Sequence, residues 1–378
     1  MKKEITQWEG ACIITGYGVG GGVLSMPYLA EKNGIIPAML ILILALAASY
    51  ILHLMIADLA LKSDEGGQIV SCLSKFLFRG RLKTPLTLCF FILMTLVLCT
   101  NLAAYIVGAD EIIVGIIPIP HIAAQLLFYA VAASVVLFGL KAVGVSEKLA
   151  VSVIFILIGI LAVASLFARL HPLNMSIGNL NSSLAFFGMA MFAMSAYFSI
   201  PQAVEGLGRD IVKIKKAVFL GLFNNFVLIV VITLCSLAAS DGITEVAMVG
   251  WSRGIGAWAQ LVGGIFTILA MLTTYWSISL ALGSIVEEQF SLGTKLCWVI
   301  ATLPSLILAV CGFGGFLEFM RLAGGLIGII VAVMVVPSYR NARREVPGSI
   351  LEKTGGTLTQ ILIIAAYLLM GVGSVVTV

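Results

Sequence analysis

A glycine-rich stretch near the start of the chain, residues 15–28 (TGYGVGGGVLSMPY), has the composition of a broken helix that holds a ligand. Five glycines fall between Gly16 and Gly22, and Pro27 follows them. Glycine weakens a helix by about 1 kcal/mol relative to alanine, and an internal proline weakens it by about 3 kcal/mol. At such a break, free N–H groups suit a carboxylate, and free carbonyls suit an ammonium or a metal cation. The glycines predicted to contact such a ligand through their backbone are Gly18, Gly20, Gly21 and Gly22.

A second break is predicted near Ser195, in the sequence FFGMAMFAMSAYFSIPQAVEGLG. Small and polar residues precede Pro201 there, and the break lies about 175 residues after the first one. Paired interruptions at matching positions in two halves of a chain indicate the central binding site of a transporter. The alternative is that these glycines and prolines only allow membrane helices to pack closely.

The elements that carry both breaks are membrane spans. Of the 378 residues, 61% are hydrophobic and only 11% are charged, whereas a soluble domain carries about 25% charged residues. A block of about 20 apolar residues is long enough to cross a bilayer. The eleven predicted spans are 8–32, 35–61, 84–113, 122–140, 147–167, 183–207, 217–239, 257–285, 295–311, 316–337 and 358–378.

The order of the spans predicts an inverted repeat, because each break opens a set of five spans and the second set starts from the opposite side of the membrane. We therefore expect residues 1–180 to form the first repeat and residues 181–345 to form the second. Residues 346–378 would form a cytoplasmic linker and an eleventh helix. Eighteen of the 22 Lys and Arg residues lie in connections on the side of the N-terminus. The positive-inside rule then predicts a multi-pass protein of the inner (plasma) membrane, with the N-terminus in the cytoplasm and the C-terminus outside.

Four stretches resemble the amino acid/auxin permease family of the amino acid–polyamine–organocation superfamily, and in particular bacterial aromatic and hydroxy amino acid permeases. They are the glycines with LSMPY, GITEVAMVGW, LTTYWSISLALGSIVEE and FMRLAGGLIGIIVAVMVVP. The resemblance implies an all-α integral membrane protein of the LeuT-like fold. That fold is a five-plus-five inverted repeat with broken helices 1 and 6, here followed by an eleventh transmembrane helix.

The resemblance also implies roles for residues at the second break. Phe192 corresponds to an aromatic residue that closes over the substrate, and Ser195 corresponds to a contact in the unwound region. In the third span, Tyr105 is predicted to offer its hydroxyl to a substrate carboxylate, with an ordinary interhelical hydrogen bond as the alternative. The further residues predicted to line the substrate site are Asn101, Ala193, Ala196 and Tyr197.

A cation site is implied in the eighth span, where Ala270, Thr273 and Thr274 match the spacing of the conserved sodium site of sodium-coupled LeuT-like transporters. Their oxygens, together with the carbonyls of Gly16 and Val19, would form an all-oxygen cage for a hard monovalent cation. The alternative is that the threonines bond to carbonyls of their own helix.

The coupling ion is expected to be Na⁺ or H⁺. Some proton-coupled relatives carry a lysine in the middle of the fifth span, but residues 150–167 contain no ionisable side chain. Sodium is therefore favoured over protons, and no other cofactor is expected.

Ionisable residues within or near membrane spans are functional candidates by default. His53, Asp58 and Glu205 are predicted to be interfacial or paired structural groups, with a proton relay through His53 or Glu205 as the alternative. Glu318 and Arg321 lie three residues apart in the tenth span and are predicted to pair with one another.

These features predict a secondary active amino acid transporter that works by alternating access. A proton-coupled permease and a substrate-gated membrane sensor (transceptor) on the same fold are the alternatives. A membrane enzyme is disfavoured, because the three histidines are dispersed along the chain. The expected partners are a small-molecule amino acid and membrane lipid, with no nucleic acid, and the protein is expected to be monomeric.

Overall fold

A computed structural model of the protein describes residues 4–63, 67–240, 242–244, 247–314 and 316–376, without the side chains of 316–327 and 329. Within these ranges every regular element is a helix. The first half contains α1 (Gln7–Gly18), α2 (Gly21–Asn33), α3 (Ile35–Lys62), α4 (Ile69–Phe76), α5 (Lys83–Ile116), α6 (His121–Leu137) and α7 (Leu140–Ser165). The second half contains α8 (Leu180–Ala193), α9 (Ser199–Gly206), α10 (Ile211–Ala239), α11 (Ala247–Ile255), α12 (Ala257–Phe290), α13 (Thr294–Val310), α14 (Phe316–Glu345) and α15 (Thr357–Val375).

The first span is broken at the glycines, as the sequence predicted. Thr6 begins α1 with a capping box, in which its side chain and that of Glu9 bond to each other's backbone N–H groups. Helix α1 ends at Gly18, and the extended residue Gly20 (φ −80°, ψ −159°) precedes α2. The two half-helices meet at an angle of 60°. The broken first helix is therefore confirmed.

The sixth span is broken as well. Helix α8 ends at Ala193 and α9 begins at Ser199, and residues 194–198 are not helical. Both interruptions thus fall where glycine, serine and proline weaken the helix in the sequence. Because α2 packs against α8, the two breaks lie next to each other in the molecule.

Short helices occupy the same position in both halves of the chain. Helix α4 follows the second span, and α11 follows the seventh. Their matching order agrees with an inverted repeat of five plus five spans.

The core is built around α1, which packs against α7, α10 and α12. The eleventh helix, α15, packs against α8 and α14. Its contact with α8 is a direct backbone approach, because a Cβ atom at Gly188 would lie 2.9 Å from the carbonyl carbon of Gly373. Small residues that let two backbones approach in this way are typical of helix contacts in membranes.

The outer surface of the helices is apolar. Among the described residues, six helices are long and apolar enough to cross a membrane, and the bent pair of α1 and α2 makes a seventh. On α3, Ile36, Leu40 and Leu44 are each more than half exposed. Residues four apart share one face of a helix, so this face is suited to lipid.

The fifth span begins earlier than the sequence predicted. Gly139, with a φ of 79°, ends the preceding connection, and α7 starts at Leu140 rather than at Glu147. Glu147 therefore lies about two turns inside the helix. Its side chain is fully buried, so this carboxylate belongs to the interior and not to a solvated helix end.

Candidate functional site

A cavity of about 410 Å³, its open mouth included, lies between the two helix breaks. Its lining residues are Tyr17, Gly18, Gly20, Gly21, Gly22, Asn101, Tyr105, Phe192, Ala193, Ser195, Tyr197 and Gly328.

The structure brings ten of the eleven residues predicted to bind substrate to this cavity. The exception is Ala196, whose backbone N–H is directed away to the ring of His53. Tyr17 and Gly328 also line the cavity, and the sequence did not predict them. Gly328 lies on α14, which is distant in sequence from both breaks, so only the packing of α14 places it there.

The glycines let other groups approach the backbone of the first break. A Cβ atom at Gly20 would lie 2.8 Å from the hydroxyl of Tyr105 and 3.4 Å from Oγ1 of Thr274. A Cβ atom at Gly22 would lie 2.9 Å from Cδ1 of Phe192. The distances to Tyr105 and to Phe192 are both shorter than real Cβ atoms show. The bare backbone at the start of α2 is thus required by its neighbours.

Asn225 is a polar residue of this region that sequence reasoning missed. It lies on α10 and is fully buried, and neither of its amide atoms has a hydrogen-bond partner among the described residues. A Cβ atom at Gly18 would collide with its amide nitrogen and would lie 3.2 Å from the carbonyl oxygen of Ala193. Asn225 therefore occupies the gap between the two breaks. An asparagine pair within an apolar span, at Asn224 and Asn225, was the available signal.

His53 supports the second break. Its Nδ1 lies 2.5 Å from the carbonyl oxygen of Ser49, and its Nε2 lies 2.9 Å from the backbone nitrogen of Ala196. These distances fit a neutral imidazole that donates from Nδ1 and accepts at Nε2. The ring stacks on Tyr197, with the ring centres 5.3 Å apart. The prediction that His53 is structural agrees with this arrangement.

Asp58 and Lys62 form an ion pair near the end of α3. Asp58 lies 2.8 Å from the Nζ of Lys62 and accepts a hydrogen bond from the backbone N–H of Ile350 at 2.8 Å. Asp58 therefore joins α3 to the connection after α14. The predicted pair of Glu318 and Arg321 lies outside the described side chains.

The residues predicted to hold a cation meet where α12 passes the end of α1. Thr274 donates to the carbonyl oxygens of Gly16 and Ala270, at 3.0 Å each, and Thr273 donates to that of Ala270 at 2.9 Å. Val19, the residue that follows α1, is buried. Thr274 thus makes the bond within its own helix that was the alternative to a cation cage, and it also contacts the Gly16 carbonyl that was predicted to belong to that cage.

Glu147 lies beside this group of oxygens. Its Oε1 accepts a hydrogen bond of 2.8 Å from Ser277 on α12, whereas its Oε2 has no hydrogen-bond partner in the described part of the chain. A Cβ atom at Gly16 would collide with that Oε2 and would lie 2.9 Å from Cβ of Thr273. The carboxylate therefore faces the same point as Gly16 and Thr273. The sequence missed it because the predicted fifth span began at this residue.

The lysines near Glu147 in sequence are directed elsewhere. Lys141 lies 2.6 Å from Oε2 of Glu9, and Lys148 lies 3.7 Å from Oε1 of the same residue. Within the described ranges, Glu147 makes no ion pair with a Lys, Arg or His side chain. It is a buried carboxylate to which the described residues supply no counter-charge.

Comparisons with known proteins agree with this architecture. The model of the tryptophan/tyrosine permease family matches residues 3–374. A search of curated proteins found no match. MHP1, a nucleobase-cation-symport-1 family transporter solved in a closed conformation with bromovinylhydantoin bound, is 13% identical with a TM-score of 0.68, over 99% of this chain and 92% of MHP1. MhsT, solved in complex with L-phenylalanine, is 14% identical with a TM-score of 0.68, over 99% of this chain and 100% of MhsT. At these identities the likeness shows the fold alone, and it confirms the predicted all-α LeuT-like fold.

Proposed function

Because the chain belongs to the tryptophan/tyrosine permease family, we propose that it carries an aromatic amino acid across the membrane by alternating access. The family and the fold make it a membrane transporter and not an enzyme. The sequence-based resemblance to bacterial aromatic amino acid permeases fits this family, whereas the family name given with it, amino acid/auxin permease, is not the one that matches. At the level of the amino acid–polyamine–organocation superfamily, the resemblance fits.

One observation carries the proposal: the cavity lies between two interrupted helices whose backbone groups face it. The N–H groups of Gly21 and Gly22 begin α2, where no intrahelical carbonyl is available to them. They suit a substrate carboxylate, and the positive end of the helix dipole favours a negative charge there. The carbonyls at the end of α8, near Ala193, and the amide oxygen of Asn225 suit the ammonium group.

The cavity walls favour an aromatic side chain. Tyr17, Phe192 and Tyr197 line the cavity together with the glycines. Aromatic rings pack well in offset or edge-to-face arrangements, so these three rings suit a substrate with an aromatic side chain. No Lys, Arg, Asp or Glu is among the described residues that line this cavity, so the described polar groups that face the substrate are hydroxyl, amide and main-chain groups.

Ion coupling is part of the proposal, with sodium favoured over protons. The candidate cation ligands are Gly16, Val19, Ala270, Thr273 and Thr274. Gly20 would link the two sites, because its backbone approaches both Tyr105 in the cavity and Thr274 in the cation group. A cation that orders the end of α1 would then also order the start of α2, where the substrate carboxylate binds.

Uptake by the purified protein in proteoliposomes tests the transport function. Labelled tryptophan and tyrosine should accumulate in vesicles that contain the wild-type protein. The variant Gly20→Leu should abolish uptake while the protein still folds, because the new side chain meets Tyr105. The control is Gly159→Leu on α7, where a Cβ atom would meet nothing within 4 Å.

Three results would contradict the proposal. They are unchanged uptake in Gly20→Leu, uptake of uracil in preference to tryptophan or tyrosine, and saturable amino acid binding without flux. The last result would identify a sensor on the same fold. In intact cells, accessibility of a tag at each terminus tests the proposed orientation, with the N-terminus in the cytoplasm and the C-terminus outside.

A further inference from the structure

We propose that the hydroxyl of Tyr197 selects the side chain of the substrate, by a hydrogen bond to the indole N–H of tryptophan or to the phenol of tyrosine. The proposal rests on the amino acid transport proposed above and adds a selection rule to it. An aromatic amino acid whose ring carries no hydrogen-bonding group, such as phenylalanine, should bind less tightly.

The hydroxyl of Tyr197 lies at the wall of the cavity. Tyr197 is one of the non-helical residues of the second break, and it lines the cavity together with Gly328 on α14. A Cβ atom at Gly328 would lie 3.3 Å from the hydroxyl oxygen of Tyr197. Glycine at this position therefore leaves the hydroxyl free of a side chain from residue 328.

This hydroxyl lacks a partner in the part of the protein that the structure describes. Tyr197 is only 2% exposed, and its hydroxyl oxygen makes no hydrogen bond to the described residues. A buried polar group without a partner is costly, and nearly all such groups in folded proteins have one. A molecule in the cavity can supply the bond that is lacking.

The ring of Tyr197 is held from two sides, so its hydroxyl has a fixed position. The ring stacks on His53 of α3 with ring centres 5.3 Å apart, and it meets Tyr367 of α15 edge-on with ring centres 6.1 Å apart. His53 is itself fixed by its contacts with Ser49 and Ala196. A hydroxyl held in this way does not have to be ordered when a ligand binds, which favours affinity.

Other polar groups of the cavity are placed for the main-chain groups of the substrate. The N–H groups at the start of α2 are assigned to the carboxylate. Asn101, whose Oδ1 also lacks a partner among the described residues, lies four residues before Tyr105 and therefore shares its helix face. Tyr105 approaches Gly20, so this face borders the first break. Tyr197, at the second break, is left for the side chain of the substrate.

The chemistry of the hydroxyl then sets the preference. It accepts a hydrogen bond from an indole N–H, and it donates to or accepts from a phenol. Phenylalanine would fill the same space and leave the hydroxyl without a partner. A site built to hydrogen-bond a group of its substrate rejects an analogue without that group far more strongly than an apolar pocket rejects a missing methylene.

The test measures binding of ligand pairs that differ at the polar atom of the ring. The pairs are tyrosine with phenylalanine, and tryptophan with 3-benzothienylalanine, in which sulfur replaces the indole N–H. The purified protein is melted in detergent with increasing ligand, since a ligand that binds only the folded state raises the melting temperature in a saturable way. For the wild type, the half-saturating concentration should be higher by about tenfold or more for the ligand that lacks the polar hydrogen.

The variant Tyr197→Phe should remove this difference, so that both members of a pair half-saturate at similar concentrations. The matched control is Tyr367→Phe. Tyr367 is also fully buried, and its hydroxyl also lacks a partner among the described residues, but it is not among the residues that line the cavity. This variant should keep the wild-type ratio.

Three results would overturn the proposal. They are a wild-type protein that binds both members of each pair equally, a folded Tyr197→Phe variant that keeps the wild-type ratio, and a Tyr367→Phe variant that loses the ratio as fully as Tyr197→Phe does. Uptake into proteoliposomes is scored separately. A binding preference without uptake would contradict transport and leave the role of Tyr197 standing. Uptake of aromatic amino acids without a preference at the ring would do the reverse.

Discussion

The ring nitrogen Nε2 of His53 accepts a hydrogen bond from the backbone N–H of Ala196 at 2.9 Å, so a side chain of α3 satisfies a donor that the break in the sixth span sets free. In a helix this N–H would bond to a carbonyl four residues earlier. His53 therefore takes the place of a helical hydrogen bond and fixes the non-helical path of residues 194–198.

Removal of this acceptor should destabilise the protein. His53→Leu leaves the N–H of Ala196 buried without a partner, which costs about 1–3 kcal/mol. The melting temperature in detergent should fall. His53→Gln keeps a side-chain acceptor and should lose less stability than His53→Leu. Equal melting temperatures for the wild type and His53→Leu would contradict this role.

The contact between Gly18 and Asn225 should be revealed by a pair of substitutions. Gly18→Ala places a methyl group on the Asn225 amide, and overpacking of this kind typically costs about 1–3 kcal/mol. The double variant Gly18→Ala with Asn225→Ala vacates the space, so it should be more stable than additive effects of the two single variants would make it. A double-mutant cycle of melting temperatures measures the coupling, and strict additivity would show that the two residues do not touch.

Thr274 should matter more than other buried threonines of α12. Thr274→Val removes the bond to Gly16 on α1, and a hydrogen bond contributes about 0.5–1.5 kcal/mol. We expect lower stability and a higher Na⁺ concentration for half-maximal uptake. The control is Thr267→Val, since Thr267 bonds only to the carbonyl of Gly263 in its own helix, at 2.8 Å. Similar Na⁺ dependence in both variants would contradict a cation contact at Thr274.

Tyr105 allows the two roles left open by the sequence to be separated. If its hydroxyl binds the substrate carboxylate, Tyr105→Phe should raise the KM for tyrosine by about tenfold, equivalent to about 1.4 kcal/mol, with little change in melting temperature. If the hydroxyl serves only helix packing, the melting temperature falls and KM is unchanged. Tyr275→Phe is the matched control, since that hydroxyl contacts Ser305 at 3.2 Å and lies outside the cavity lining.

The sequence predicted the breaks well because they depend on local chemistry. Runs of glycine and serine near proline weaken a helix wherever they occur, and the structure breaks at Gly20 and at Ser195 accordingly. The lining glycines follow directly from the position of the break. The direction of each group in the second break does not, and the backbone N–H of Ala196 bonds to His53 instead of facing the cavity.

The residues that were missed depend on packing between distant segments. Gly328 lies on a helix with an apolar pattern, so nothing local distinguishes its cavity-facing position from a core position. The pair Asn224 and Asn225 marks a polar point in an apolar span, but its sequence does not show that Asn225 faces Gly18. Glu147 was missed for another reason. The predicted span began at residue 147, which placed Glu147 at a span end. Helix α7 begins at Leu140 instead, and Lys141 and Lys148 on it pair with Glu9.

The contact between Gly188 and Gly373 has a practical consequence for following the transport cycle. Because no side chain separates Gly188 from Gly373, a shift of α8 relative to α15 would break the contact between their backbones. We therefore expect the last helix to move together with the sixth span. A fluorophore near the end of α15 would then report the movement of α8. The measured quantity is the distance between that fluorophore and a second dye on α13.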